Sequence, residues 1–167
     1  MSLLVLGGAR SGKSRYAQAR AEALGGDLVY VATARALDAE MTDRIAHHRA
    51  DRGPEWATVE APLDLAAAIR AEDHPERVLL VDCLTLWTSN LLLTDRDIAT
   101  ATGDLVAAIG KAGCPVILVA NEVGLGIVPD NALARRFRDE AGRVNQQIAA
   151  AVDEVMFVAA GLPLRFK

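Results

Sequence analysis

The stretch Gly7-Gly8-Ala9-Arg10-Ser11-Gly12-Lys13-Ser14 decides how this chain is read. It fits the pattern G-x-x-x-x-G-K-[ST] at every fixed position, and its flanks supply the context that gives the pattern meaning. Ahead of it, Leu3-Leu4-Val5-Leu6 is long enough for one buried strand. Behind it, Tyr16 to Leu24, rich in Ala, Gln, Arg and Glu, reads as a helix. Strand, glycine-rich loop and helix together make a phosphate cradle. The glycines let backbone N–H groups turn inward, and the helix N-terminus adds partial positive charge facing an anion. Lys13 is expected to reach the β- and γ-phosphates and the Ser14 hydroxyl to ligate Mg2+. A turn with a chance Lys-Ser would leave the flanking strand and helix unexplained. The loop predicts a nucleoside triphosphate site.

Outward from the loop, apolar runs alternate with helical patterns. Strands are expected at 27–32, 56–60, 78–82, 115–120, 155–160 and 164–167, and helices at 37–52, 63–70, 84–93, 97–112 and 131–151. On the last helix Leu133, Phe137, Ala141, Val144 and Ile148 fall on one stripe. Strands apolar on both faces and alternating with helices mean a mostly parallel sheet with helices on each side. The fold class is therefore α/β, a P-loop NTPase-like, RecA-like sheet ending in an antiparallel C-terminal strand that turns at Gly161. No linker or repeat interrupts the chain, so residues 1–167 are expected to form one nucleotide-binding domain.

Composition narrows the function. With 51% hydrophobic but only 4% aromatic residues, the core must be built from Ala, Val, Leu and Ile. A net charge of −4 argues against a nucleic-acid partner, which needs a basic face. No apolar run approaches a membrane span, and the first residues lack the basic and small-residue marks of a signal peptide. Cys83 and Cys114 have neither metal nor redox spacing and read as buried thiols. A cytoplasmic enzyme is the expectation.

Outside the loop, Asp82 ends an apolar strand, where ligands gather in parallel sheets, and is the candidate Mg2+ group opposite Ser14. Its alternative is a cap on the helix beginning near Leu84. The helix at 37–52 holds the pair His47-His48. His48 continues the stripe of Met41 and Ile45 and so faces inward, with Arg44 and Arg52 one turn away on either side. Nearby cations keep an imidazole neutral, the state a nucleophile needs. By pattern alone, however, a satisfied histidine at the core edge is the better reading. Asn121-Glu122, at another strand end, could orient a nucleophile or metal-bound water, or cap the turn through Gly124 and Gly126. Arg135, Arg136, Arg138 and Arg143, among acids, read as a solvated helix face.

With these residues in hand, the chain resembles the bifunctional adenosylcobinamide kinase / adenosylcobinamide-phosphate guanylyltransferase family of cobalamin biosynthesis. The marks are GGARSGKS, YVATA at 30–34, RIAHHR through WATVE, LLVDCLTLWTSNLL, ANEVGLGIVPDNALARRFRDEAGRVNQ and the closing AAGLPLRFK. Two positions depart from many relatives: Gln18 replaces Glu, and Gly53 intervenes between Arg52 and Pro54. The resemblance implies two activities. One phosphorylates adenosylcobinamide with ATP or GTP. The other takes GMP from GTP through a guanylyl-histidine and passes it to adenosylcobinamide phosphate, giving adenosyl-GDP-cobinamide. It implies His48 as the guanylylated residue, reversing the reading from pattern alone. It places nucleotide contacts on Gly7 to Ser14, on Thr33, Ala34 and Arg35, on Arg49, Ala50, Asp51 and Arg52, and on Glu60 and Asp82. It also implies a homo-oligomer, a trimer. A single-activity P-loop kinase, with His48 merely structural, is the competing reading.

Overall fold

A computed structural model describes residues 1–35 and 53–167. The expected helix at 37–52, with His47, His48, Arg49, Ala50, Asp51 and Arg52, lies outside the described residues. The elements, in chain order, are β1 (Ser2–Gly7), α1 (Lys13–Leu24), β2 (Asp27–Ala32), β3 (Trp56–Glu60), α2 (Leu65–Glu72), β4 (Arg77–Asp82), α3 (Leu84–Leu93), α4 (Ile98–Lys111), β5 (Val116–Asn121), α5 (Ala132–Ala151), β6 (Glu154–Ala159) and β7 (Leu162–Arg165). They build a seven-stranded sheet in the order β3-β2-β4-β5-β1-β6-β7. All pairs are parallel except β6–β7.

The pleat divides the core in two. Leu4 on β1, Leu79 and Val81 on β4, and Leu118 and Ala120 on β5 pack with Leu65, Trp87, Leu105, Val144 and Ile148 of α2 to α5. The alternate residues, among them Leu3, Val5, Leu80, Ile117 and Val119, pack with Ala17 and Ala21 of α1. Period-two alternation thus sends α1 to one face and α2 to α5 to the other. Strands buried on both faces carry apolar residues in succession, which is why their sequences show runs rather than alternation.

Three expectations are corrected. The helix expected at 63–70 starts at Leu65, because the Leu63 carbonyl accepts the buried Trp87 indole at 2.7 Å. The final strand begins at Leu162, earlier than 164, because Ala160 (φ 52°) and Gly161 (φ 78°) alone close the hairpin and pair Ala159 with Leu162. A two-residue loop with both φ positive matches the twist of the flanking strands. Leu133, expected on the apolar stripe of the last helix, is exposed, since α5 meets the core only from Phe137 onward. Both cysteines are buried, as expected. Among the described residues no helix is long and apolar enough to cross a membrane.

Candidate active site

The phosphate loop leaves β1 at Gly7 and enters α1 at Lys13. Gly7 is a matter of space: a Cβ there would lie 2.5 Å from both Ser11 Oγ and the Val158 carbonyl. Gly12 is a matter of conformation, with φ 93°, a region L side chains rarely adopt. Arg10 shares the left-handed region at φ 54°. Lys13 Nζ donates to the Gly8 carbonyl at 3.1 Å, which holds the ammonium over the loop, while the buried Ser11 hydroxyl has no partner among the described residues. Tyr16 N donates to the Gly12 carbonyl at 3.0 Å, so the helix starts directly from the loop. Its N-terminus bears no acidic residue to compete with an anionic ligand.

The C-terminal hairpin seats the loop. Gly161 N donates to the Ser11 carbonyl at 2.8 Å, and a Cβ on Gly12 would come within 3.2 Å of Gly161 Cα. The turn was legible in the sequence; its contact with the loop was not.

Asp82 ends β4 on the same face as α1, because it continues the alternation of Val78 and Leu80. The N-cap of α3 is Cys83, not Asp82. Thr33, fully buried, locks the chain beside it. Its hydroxyl donates to the Cys83 carbonyl and accepts from Cys83 N, each at 2.8 Å. Its own N–H donates to the Asp82 carbonyl at 3.3 Å, and its carbonyl accepts from Asn90 Nδ2 at 2.8 Å. The Asp82–Cys83 peptide is cis. Burial, then the Asp82 charge, pushes the Cys83 thiol up to about 11, so it stays protonated at neutral pH. Thr33 thus holds Asp82 in place, a role the sequence did not suggest. Ala34 is half-buried and Arg35 exposed just beyond it. Glu60, exposed, ends the edge strand β3 level with Ala32, which itself pairs with Asp82.

The sheet thus brings Gly7 to Ser14, Thr33 to Arg35, Glu60 and Asp82 to one rim, the carboxyl ends of the parallel strands. Connections leave β1 toward one face and β4 and β5 toward the other, which opens a crevice at the switch point where such sheets bind ligands. A hydroxyl (Ser14) and a carboxylate (Asp82) are hard oxygen donors that suit Mg2+, a cation held by one or two protein groups plus phosphates. Among the described residues no three His, Cys, Asp or Glu gather into a protein-only metal cage. Glu122, the other candidate on this rim, accepts from Gly124 N at 2.5 Å and so caps the turn. Three of the α5 arginines are engaged close to their own helix. Arg135 donates to the Pro129 and Asp130 carbonyls, Arg138 pairs with Asp139 and Arg143 with Glu140.

Two solved structures that this fold resembles share little sequence with it. One is an ATPase domain, 13% identical with TM-score 0.52 over 93% of this chain and 68% of that one. A protein of Pyrococcus horikoshii OT3 aligns with TM-score 0.58 at 9% identity over 99% of this chain and 85% of that one. At such identities the likeness shows the fold, a P-loop NTPase-like sheet, and nothing more specific. Sequence relatives are much nearer. The chain is 51% identical to the bifunctional adenosylcobalamin biosynthesis protein CobP of Pseudomonas aeruginosa, over 98% of this chain and 96% of that protein. It is 45% identical to the bifunctional adenosylcobalamin biosynthesis protein CobU of Escherichia coli, over the full length of both. The model of the cobinamide kinase / cobinamide phosphate guanyltransferase family matches residues 3–166. With that span and those identities, the chain belongs to the cobinamide kinase / cobinamide phosphate guanyltransferase family.

Proposed function

We propose that this bifunctional transferase works both reactions from one phosphate loop. In the kinase reaction the adenosylcobinamide hydroxyl attacks the γ-phosphorus of ATP or GTP. In the transferase reaction a ring nitrogen of His48 attacks the α-phosphorus of GTP and pyrophosphate leaves. A phosphate oxygen of adenosylcobinamide phosphate then displaces the histidine, giving adenosyl-GDP-cobinamide. The observation that carries this reading is the loop Gly7–Ser14, with Lys13 held over it and Asp82 on the same sheet face.

Both reactions displace a phosphate-bearing leaving group, so both need negative charge neutralised at the same place. Loop N–H groups and Lys13 meet that need for the β- and γ-phosphates. Ser14 and Asp82 would hold Mg2+, which when bound supplies further charge neutralisation on the phosphate oxygens. Thr33, Ala34, Arg35, Arg49, Ala50, Asp51, Arg52 and Glu60 are read as the nucleotide's remaining surroundings. A covalent histidine step splits one displacement into two and stores the guanylyl group in a high-energy bond. The working form is read as a cytoplasmic homo-oligomer, a trimer. Exposed Leu162 and Leu164 on the edge strand β7, and Phe166 just beyond it, give such an assembly apolar surface to bury.

The test is labelling with GTP carrying radioactive phosphorus at the α-position. The expected result is label that survives denaturation and alkali, is released by mild acid, and is absent from His48→Ala, which still phosphorylates cobinamide. A chain that phosphorylates cobinamide but never takes the label has no histidine step.

A further inference from the structure

At the end of β5, Asn121 lies directly opposite Gly7, the first glycine of the phosphate loop. Asp82 pairs with Val119, so Asn121 stands one pleat beyond Asp82 on the same face of the sheet. It therefore occupies the switch point itself, between the loop and the carboxylate. Its backbone is held from three directions. Asn121 N donates to Thr85 Oγ1 at 2.7 Å, its carbonyl accepts from Asn145 Nδ2 at 3.3 Å, and the next residue's N–H donates to the Gly7 carbonyl at 3.1 Å.

The side chain is treated differently. Asn121 Oδ1 is buried without a hydrogen-bond partner among the described residues. Leaving a buried acceptor unpaired is costly, and native proteins rarely tolerate it without a use. The turn-capping role open to this Asn-Glu pair falls to Glu122. A rigid backbone carrying an unspent amide oxygen at the crevice is built for a ligand.

We propose that Asn121 orients the attacking hydroxyl in the phosphorylation step, a proposal that rests on the kinase half of the reading above. Turned out of its buried position, Oδ1 accepts a hydrogen bond from the cobinamide hydroxyl and so sets the nucleophile before the γ-phosphorus. The hydroxyl oxygen bonds to the γ-phosphorus and the bond to the β–γ bridging oxygen breaks. The nucleoside diphosphate leaves with that electron pair, and the hydroxyl proton is released to solvent. An amide cannot take the proton, so Asn121 acts by position alone. Guanylyl transfer does not call on it, because its nucleophiles are a histidine nitrogen and a phosphate oxygen, neither of which must be held through an O–H.

The experiment compares Asn121→Ala and the size-matched Asn121→Leu with the unaltered enzyme. Cobinamide phosphorylation is followed in one assay and GMP transfer to supplied cobinamide phosphate in another. Loss of one substrate hydrogen bond predicts a fall of about 10- to 100-fold in kcat for phosphorylation. The nucleotide KM and the GMP-transfer rate should stay within about threefold, and Tm should not fall, since an unpaired buried acceptor has been removed. Phosphorylation retained in both variants, or both activities lost together, would overturn the proposal. An unaltered enzyme that makes no cobinamide phosphate would instead sink the kinase reading, and this inference with it.

Discussion

A single methyl group can decide whether the phosphate loop exists. At Gly7 a Cβ would sit 2.5 Å from Ser11 Oγ and from the Val158 carbonyl, and the second of these is backbone that cannot swing away. Gly7→Ala is therefore expected to push the loop off β6 and abolish both activities. The check is titration with a nucleotide, in which the variant should show at least about tenfold weaker binding, a cost of about 1.4 kcal/mol or more. Near-normal nucleotide affinity would show that the loop accommodates the methyl. The sequence motif marks Gly7 but does not show the steric reason for it. That reason lies in Val158, a residue far along the chain that the sheet brings alongside as the partner of Gly7.

Among the elements, the C-terminal hairpin does more than close the sheet edge. Its Gly161 N–H holds the Ser11 carbonyl at 2.8 Å, with φ at 78°. Gly161→Ala meets no clash, only ordinary contact with the Arg15 guanidinium, so its cost comes from the left-handed backbone. That cost is about 1–2 kcal/mol, a fall in Tm of about 2–8 °C for a chain of this size. Because the turn seats the loop proposed to serve both reactions, the KM values for nucleotide in kinase and transferase assays should rise together. A change in one assay alone would mean the hairpin does not act through the loop. Helix α1 is tied to the opposite, amino end of β6 by Arg20. It pairs in two-pronged fashion with Glu154 at 2.9 and 3.1 Å and also donates to the Tyr16 hydroxyl.

Across the whole molecule, acid should act through a few carboxylates that are held below their ordinary range. Hydrogen bonds from the backbone of Cys114 lower Asp73, and those from Thr100 lower Asp97. The Ser2 hydroxyl and N–H lower Asp153, and the Arg20 guanidinium lowers Glu154. Each binds its proton more readily in the unfolded chain, so stability rises with pH through this window. Their contribution is whole above the unfolded carboxylate range, near about pH 4, and is lost as pH falls through the lower folded values. Urea midpoints measured from about pH 6 to about pH 3 should hold steady and then drop. The drop should be shallower in Asp153→Asn, whose charge no longer titrates. A midpoint independent of pH across that range would contradict this account.

Short stretches of chain encode part of this molecule unaided. The phosphate loop, the buried strands and most helix bounds were legible, because a glycine pattern, an apolar run and a 3.6-residue stripe are local signals. Strands β2 and β3 and helix α3 fall where the residues place them. At α2 the reading slipped because a distant partner intervened: Trp87 took the Leu63 carbonyl that a longer helix would have used. It took the assembled sheet to put Gly7, Asp82 and Asn121 on one face of one rim, to set Thr33 against the peptide after Asp82, and to bring the last hairpin onto the loop. Strand order and register set these juxtapositions. They arise from burying both faces of a twisted sheet at once, a condition on the whole chain that no single stretch of it carries.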